Sequence, residues 1–132
     1  MRTHRTDVQM RFGDTDALGH VNNASFAAYT ELARLDFMRL LLGDAVRSLI
    51  LANLSIDYRR QVTWGESLYV ESWVERVGRS SMTLGQAVYA NGILAADVGS
   101  VVVYFDYSNG KPLELTPAMR ERLLPYSRPL SS

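Results

Sequence analysis

The chain has no cysteine, which excludes disulfide frameworks, zinc ribbons, iron–sulfur clusters and thiol nucleophiles. Lysine is nearly absent too: thirteen arginines carry the positive charge beside one lysine, Lys111. A Schiff base or a phosphate-cradling loop would depend on that residue alone, and Ser108-Asn109-Gly110-Lys111-Pro112 reads as a turn. Fourteen basic residues balance fourteen acidic ones, so there is no global electrostatic case for a nucleic-acid or anionic-membrane partner. No stretch approaches the ~18 uninterrupted apolar residues of a membrane span, and Met1 to Thr6 lacks the apolar core of a signal peptide. A cytoplasmic protein is expected. Histidine is scarce as well: His4 falls in a tail without clear pattern and His20 in a loop, so no metal centre is expected.

What is present fits one compact domain over residues 1–132, with 47% of the 132 residues hydrophobic and 21% charged. Val8 to Phe12 alternates apolar and polar, as a half-buried opening strand does, and Gly13-Asp14 stops it. Ala24 to Leu42 contains neither glycine nor proline and predicts one long helix. Its stripe is Phe26, Tyr29, Ala33, Phe37 and Leu40, with Glu31/Arg34 and Asp36/Arg39 as pairs on the other flank. Asn22 or Asn23 caps this helix and Gly43 ends it. After an unassigned connection, strands are expected at Leu54–Tyr58, Leu68–Glu75, Met82–Ala90 and Ile93–Asp106. Asn91-Gly92 serves as a type I′ hairpin turn and Gly99 as a bulge. A short helix is expected from Thr116 to Leu124. The order strand, long helix, four-stranded meander implies an α+β domain in which an antiparallel sheet wraps around the helix.

Between opening strand and helix, Asp14, Asp16, His20, Asn22 and Asn23 fall within ten residues. The first N–H groups of a helix lack internal partners and the helix dipole adds positive charge there, so this end can hold a developing oxyanion beside a carboxylate base or nucleophile. The same residue types also serve as plain caps and turn formers. Equally, Glu31 can be a solvated helix position and Arg59-Arg60 an exposed strand end.

The run Phe12-Gly13-Asp14-Thr15-Asp16-Ala17-Leu18-Gly19-His20-Val21-Asn22-Asn23, followed by Phe26, Tyr29, Glu31, Ala33 and Arg34, resembles the 4-hydroxybenzoyl-CoA thioesterase-like branch of the hotdog-fold superfamily. Similarity in order and length extends over roughly residues 5 to 125, including Tyr58 to Glu66 and the turn Val77 to Ser81. The resemblance implies a hotdog fold: a five- or six-stranded sheet around the central helix, with two subunits joined edge to edge and active sites at the dimer interface. It implies Asp16 as the catalytic carboxylate and a backbone N–H near Asn23 as the oxyanion donor. His20-Val21-Asn22-Asn23 departs from the apolar or aromatic residues of the benzoyl-CoA enzymes, so their acyl specificity does not carry over. The similar turn in the family meets coenzyme A with basic residues, which makes Arg79 the substrate-binding expectation, with Arg59, Arg60 and Glu31 beside it.

The expected activity is hydrolysis of an acyl-CoA thioester. A thiolate is a good leaving group, so the absence of a Ser-His-Asp triad is no objection. Asp16 would attack the carbonyl or deprotonate a water, and no cofactor is implied beyond the coenzyme A of the substrate. A non-catalytic acyl-CoA or acyl-carrier binding module and an acyl-thioester hydratase using His20 are the alternatives. A homodimer is expected, with a dimer of dimers left open.

Overall fold

The computed structural model describes residues 1–129, so positions 130–132 of the expected domain lie outside the described residues. The dominant element is α1 (Asn23–Leu42), capped by Asn22, whose side chain accepts from the Ser25 N–H at 2.9 Å. It ends at Gly43, where φ is +59°. An antiparallel sheet curls around α1, built from β1 (His4–Val8), β2 (Leu49–Tyr58), β3 (Leu68–Val77), β4 (Ser81–Ala90), β5 (Ile93–Asp106) and the two-residue β6 (Lys111–Pro112). Its order is β1-β3-β4-β5-β2, with β6 paired to β5. This is the hotdog arrangement. A short helix, α2 (Pro117–Leu123), closes the far end of the barrel-like wrap through Leu115, Met119 and Leu123.

Several details depart from the sequence expectation. The four later strands are not a simple meander, since β2 crosses to the far edge to pair with β5 and only β3, β4 and β5 follow one another. The opening strand is His4–Val8 rather than Val8–Phe12, and Phe12–Asp14 forms a 3-10 turn. The inward positions of β1 include two polar residues because they meet a polar partner. His4 Nε2 lies 2.8 Å from Asp36 Oδ2 and the Thr6 hydroxyl donates to the same oxygen at 2.7 Å. His4 is therefore part of the sheet and not of a tail. Gly99 holds regular register opposite Gly85 and Ser55; the β2–β5 irregularity lies between Leu51 and Asn53. Asn91 and Gly92 do form the left-handed turn, with φ of +50° and +77°.

On α1 the buried residues come in neighbouring pairs every four positions: Ser25-Phe26, Tyr29-Thr30, Ala33-Arg34, Phe37-Met38 and Leu41-Leu42. A repeat of four on a helix of 3.6 residues per turn drifts around the axis, following the twist of the enclosing sheet. Leu40 is consequently 53% exposed and Leu41 takes its place. The expected pairs on the outer flank also fail, since Arg34 turns inward at 6% exposure and Asp36 binds β1. The core divides into a cluster around Phe26, Tyr29, Ala33 and Val62 and another around Phe37, Met38, Leu41 and Leu115. Between them lies a belt of buried polar side chains: Thr30 and Arg34 on α1 with Ser72, Gln86 and Ser100 on the sheet. Gln86 stitches it by donating to the Thr30 carbonyl at 3.1 Å and to Ser72 Oγ at 3.0 Å.

Candidate active site

The loop before α1 is pinched at its base. The Asp14 carbonyl accepts from the Asn22 N–H at 2.9 Å and from the Ser25 hydroxyl at 3.3 Å, so residues 15–21 leave and return to one point. Asp14 itself is buried, and its carboxylate accepts from the Arg11 N–H at 2.9 Å and the Tyr29 hydroxyl at 2.7 Å. Burial pushes its pKa up, but the Arg11 N–H, the Tyr29 hydroxyl and the Arg11 charge outweigh that, and the carboxyl sits below its ordinary value. Tyr29 is raised by its own burial and then by the carboxylate facing it.

Asp16 lies at the opposite pole of this loop, on the surface. Its N–H donates to the His20 carbonyl at 2.7 Å and its carbonyl accepts from the Gly19 N–H at 3.0 Å, a tight turn that needs the left-handed φ of +81° at Gly19. Oδ1 accepts from the N–H groups of Leu18 at 2.8 Å and His20 at 3.1 Å. Those two bonds, Leu18 first, hold the Asp16 carboxyl below its usual range, outweighing a small desolvation; the His20 ring adds to the lowering. Neither aspartate caps α1, because Asn22 does. The turn is tied to the segment after β2, where Val21 donates to Val62 at 2.7 Å and Trp64 to Gly19 at 3.0 Å.

Asp16, His20, Asn22 and Asn23 line one pocket of about 460 Å³ with Phe26 and Tyr58. As the first residue of α1, Asn23 has an N–H with no intrahelical acceptor, so this wall of the pocket carries an unpaired helix-start donor. Tyr58, at the end of β2, was not among the expected site residues. Its ring meets Phe26 edge-on with centroids 5.3 Å apart, and its hydroxyl donates to the Asn23 carbonyl at 3.1 Å. An aromatic ending a strand directly before Arg59-Arg60 was the available signal.

The arginines separate by what they already bind. Arg59 and Arg60 both line the pocket. Arg60 is committed to structure, its Nη2 donating to Glu66 Oε1 at 2.8 Å and the Ala90 carbonyl at 2.6 Å. Arg59 is more exposed and holds Asp97 at 2.7 Å. Glu31 lies farther along α1, at a separate recess. Arg79 is in the turn between β3 and β4, while the Asp16 loop is tied by the Val21–Val62 hydrogen bond to the segment leading into the Leu68 end of β3, with Val21, Val62 and Leu68 in one buried cluster. The span Leu68–Val77 makes that separation about 30 Å within one chain. Among the described residues no group of three or more His, Cys, Asp or Glu side chains is arranged to hold a metal ion, and no helix is long and apolar enough to cross a membrane.

Comparison with known proteins agrees with this geometry. The model of the thioesterase-like superfamily matches residues 10–123. A crystal structure of a thioesterase complexed with coenzyme A and zinc from Thermus thermophilus is 37% identical, covers 96% of each chain and superposes with a TM-score of 0.87. The long-chain acyl-CoA thioesterase FadM of Escherichia coli (strain K12) is 27% identical over 128 residues, 90% of this chain and 96% of that one. The protein YsmA of Bacillus subtilis (strain 168), of uncharacterised function, is 30% identical over 123 residues, 89% of this chain and 82% of its own. The chain thus belongs to the thioesterase-like superfamily, the hotdog-fold hydrolases related to the acyl-CoA thioesterases.

Proposed function

We propose that the protein hydrolyses acyl-CoA thioesters with Asp16 as the nucleophile and the Asn23 N–H at the start of α1 as the oxyanion donor. The observation that carries this is the Asp16 carboxylate itself: ionised, anchored through Oδ1 by two amides, and sharing a pocket with a helix N-terminus. A carboxyl held below its ordinary range is a weak general base but stays charged for attack. Oδ2 adds to the thioester carbon, the carbonyl oxygen takes the negative charge toward Asn23, and collapse expels the coenzyme A thiolate. This leaves an acyl–aspartyl anhydride, which water hydrolyses to the carboxylic acid and regenerated Asp16. General-base activation of water by the same carboxylate is the competing route, and ¹⁸O found in Asp16 after a single turnover in ¹⁸O-water requires the anhydride.

The assembly that fits is a homodimer joined through β2. This strand is the longer of the two sheet edges, ten residues against five in β1. Leu51 of β2, 41% exposed, shares a recess beside this edge with Leu35 of α1, 44% exposed. Arg79, remote from the Asp16 of its own chain, would serve the nucleotide end of a substrate bound by its partner, with Arg59 as the local cation. His20 completes the pocket wall. A cytoplasmic location is consistent with this substrate.

The test is a steady-state assay over acyl-CoAs of varied length, reading release of free coenzyme A. Wild-type protein is expected to turn over, and Asp16→Asn to lose ~100-fold or more in kcat while folding and binding ligand. Ligand binding without thiol release would establish a binding module instead, and addition of water across the acyl chain without thiol release a hydratase.

A further inference from the structure

The N–H groups of Asn22 to Ser25 open α1 without intrahelical acceptors. Asn22 gives its own to the Asp14 carbonyl at 2.9 Å, and Ser25 gives its own to the Asn22 side chain at 2.9 Å. The Asn23 and Ala24 N–H groups meet no acceptor among the described residues. The carbonyl that stands between these two, that of Asn23, accepts the Tyr58 hydroxyl at 3.1 Å. In an α-helix such a carbonyl already accepts from the N–H four residues on, so the tyrosine adds a second bond on its other lone pair. Burial does not demand that bond. Tyr58 is 44% exposed, and a hydroxyl in contact with water loses little by staying there. The hydroxyl is aimed instead by its surroundings. β2 holds the backbone through the Tyr58–Ala96 pairing and the Arg59 N–H bond to the Ala95 carbonyl at 2.8 Å, while the ring packs edge-on against Phe26, itself 2% exposed.

We infer that Tyr58 is a positioning residue for the hydrolysis: its hydroxyl fixes and polarises the peptide unit between Asn23 and Ala24, so that the Ala24 N–H joins the Asn23 N–H as a second oxyanion donor. The inference rests on the thioesterase reading of the pocket. A peptide unit is planar, and its C=O and N–H share one delocalised system. A donor on the Asn23 carbonyl therefore strengthens the Ala24 N–H, as each bond in a hydrogen-bonded chain strengthens the next. The Asn23 N–H belongs to the preceding peptide unit and gains nothing from it. The first turn of α1 is also held twice, to the base of the Asp16 loop through Asn22 and Asp14 and to the sheet through Tyr58. Donors fixed before charge develops stabilise an oxyanion without reorganising during the reaction. The ground-state carbonyl makes less use of them, so the effect belongs to kcat rather than KM.

The experiment compares wild type with Tyr58→Phe, which keeps the ring against Phe26 and removes only the hydroxyl. The substrates share one acyl group: a coenzyme A thioester and the matching dithioester, with sulfur in place of the carbonyl oxygen. Sulfur is a weak acceptor, so the dithioester draws little from oxyanion donors while its leaving thiolate is the same. In Tyr58→Phe, kcat on the thioester should fall about 3- to 10-fold with KM nearly unchanged, the scale of one neutral hydrogen bond. On the dithioester it should fall less, so the preference for oxygen over sulfur shrinks. The amide ¹⁵N resonance of Ala24 should move in the same variant, which reads loss of the bond independently of activity. Equal losses on both esters mean that Tyr58 only supports the structure, and overturn the proposal. An unchanged kcat on the thioester, a loss confined to KM or an unmoved Ala24 resonance overturns it as well. Wild type inert toward both esters is a different result, since it removes the thioesterase reading and this role together, whatever the variant does.

Discussion

Two positions separate Asp14 from Asp16, yet the first carboxylate meets Arg11 and Tyr29 in the interior while the second meets only backbone N–H groups at the surface. Sequence proximity hides this difference, because both residue types suit a turn and both precede a helix. The interior one is expected to carry stability. Asp14→Ala would leave the Tyr29 hydroxyl and the Arg11 N–H without their acceptor, at a cost of about 2–3 kcal/mol. The sign with pH follows from the lowered native pKa of Asp14. A carboxylate that is more acidic folded than unfolded stabilises above its ordinary value of 3.8, and that contribution is lost as pH falls through the lower native value. Urea unfolding across pH should therefore show wild type well above Asp14→Ala at neutral pH, with the gap closing below 3.8. A gap independent of pH would mean that packing, not the charge, holds the loop base.

At the scale of elements, periodicity locates α1, β3, β4 and β5 to within about two residues because most of their buried positions are apolar, the belt of Thr30, Arg34, Ser72, Gln86 and Ser100 excepted. It failed where burial is polar. His4 and Thr6 face inward on β1 because Asp36 awaits them, a match made by two segments about thirty residues apart and invisible to local alternation. Arg34 looked like one half of a surface pair for the same reason, and the drifting four-residue repeat of α1 reflects a sheet twist that the helix sequence alone does not contain. The spacing of the motif before α1 is enough to group Asp16, His20, Asn22 and Asn23, which line one pocket, whereas the place of Tyr58 in that pocket depends on where β2 ends. The two strand glycines differ in what holds them. Gly99 breaks no register, while Gly85 is required by its neighbour, since a Cβ there would collide with Cε2 of the Trp73 indole. Gly85→Ala should lower stability by about 1–3 kcal/mol, and adding Trp73→Ala should recover part of that loss. Calorimetry of the two single variants and the double variant reads this coupling. Strict additivity would show that the indole is not what excludes a side chain at position 85.

At the scale of the whole molecule, the pocket lined by Asp16 lies toward one end of β3 and Arg79 at the other, about 30 Å apart by the rise of that strand. Arg79 does not touch the reacting carbonyl of a substrate held by Asp16 of its own chain, but the pantetheine arm of coenzyme A carries the phosphates well away from that carbonyl. Arg79 meets them either along its own subunit or across a pairing of two copies, and in the second case the dimer is a condition of nucleotide binding and not only of stability. In Arg79→Ala, KM for acyl-CoA should rise several-fold with kcat nearly unchanged, because a screened phosphate contact lies far from the reacting carbonyl. A truncated acyl-pantetheine should not respond. A mixed dimer decides which chain supplies the arginine. With Asp16→Asn in one protomer and Arg79→Ala in the other, sharing across the interface gathers both defects into one site and leaves the second intact, giving about half the wild-type kcat at the wild-type KM. Supply within each chain would instead leave one dead site and one weakened site, so the same kcat would come with the raised KM. Steady-state titration of a purified, differentially tagged heterodimer distinguishes the two by KM alone, and a raised KM would end the cross-interface assignment of Arg79.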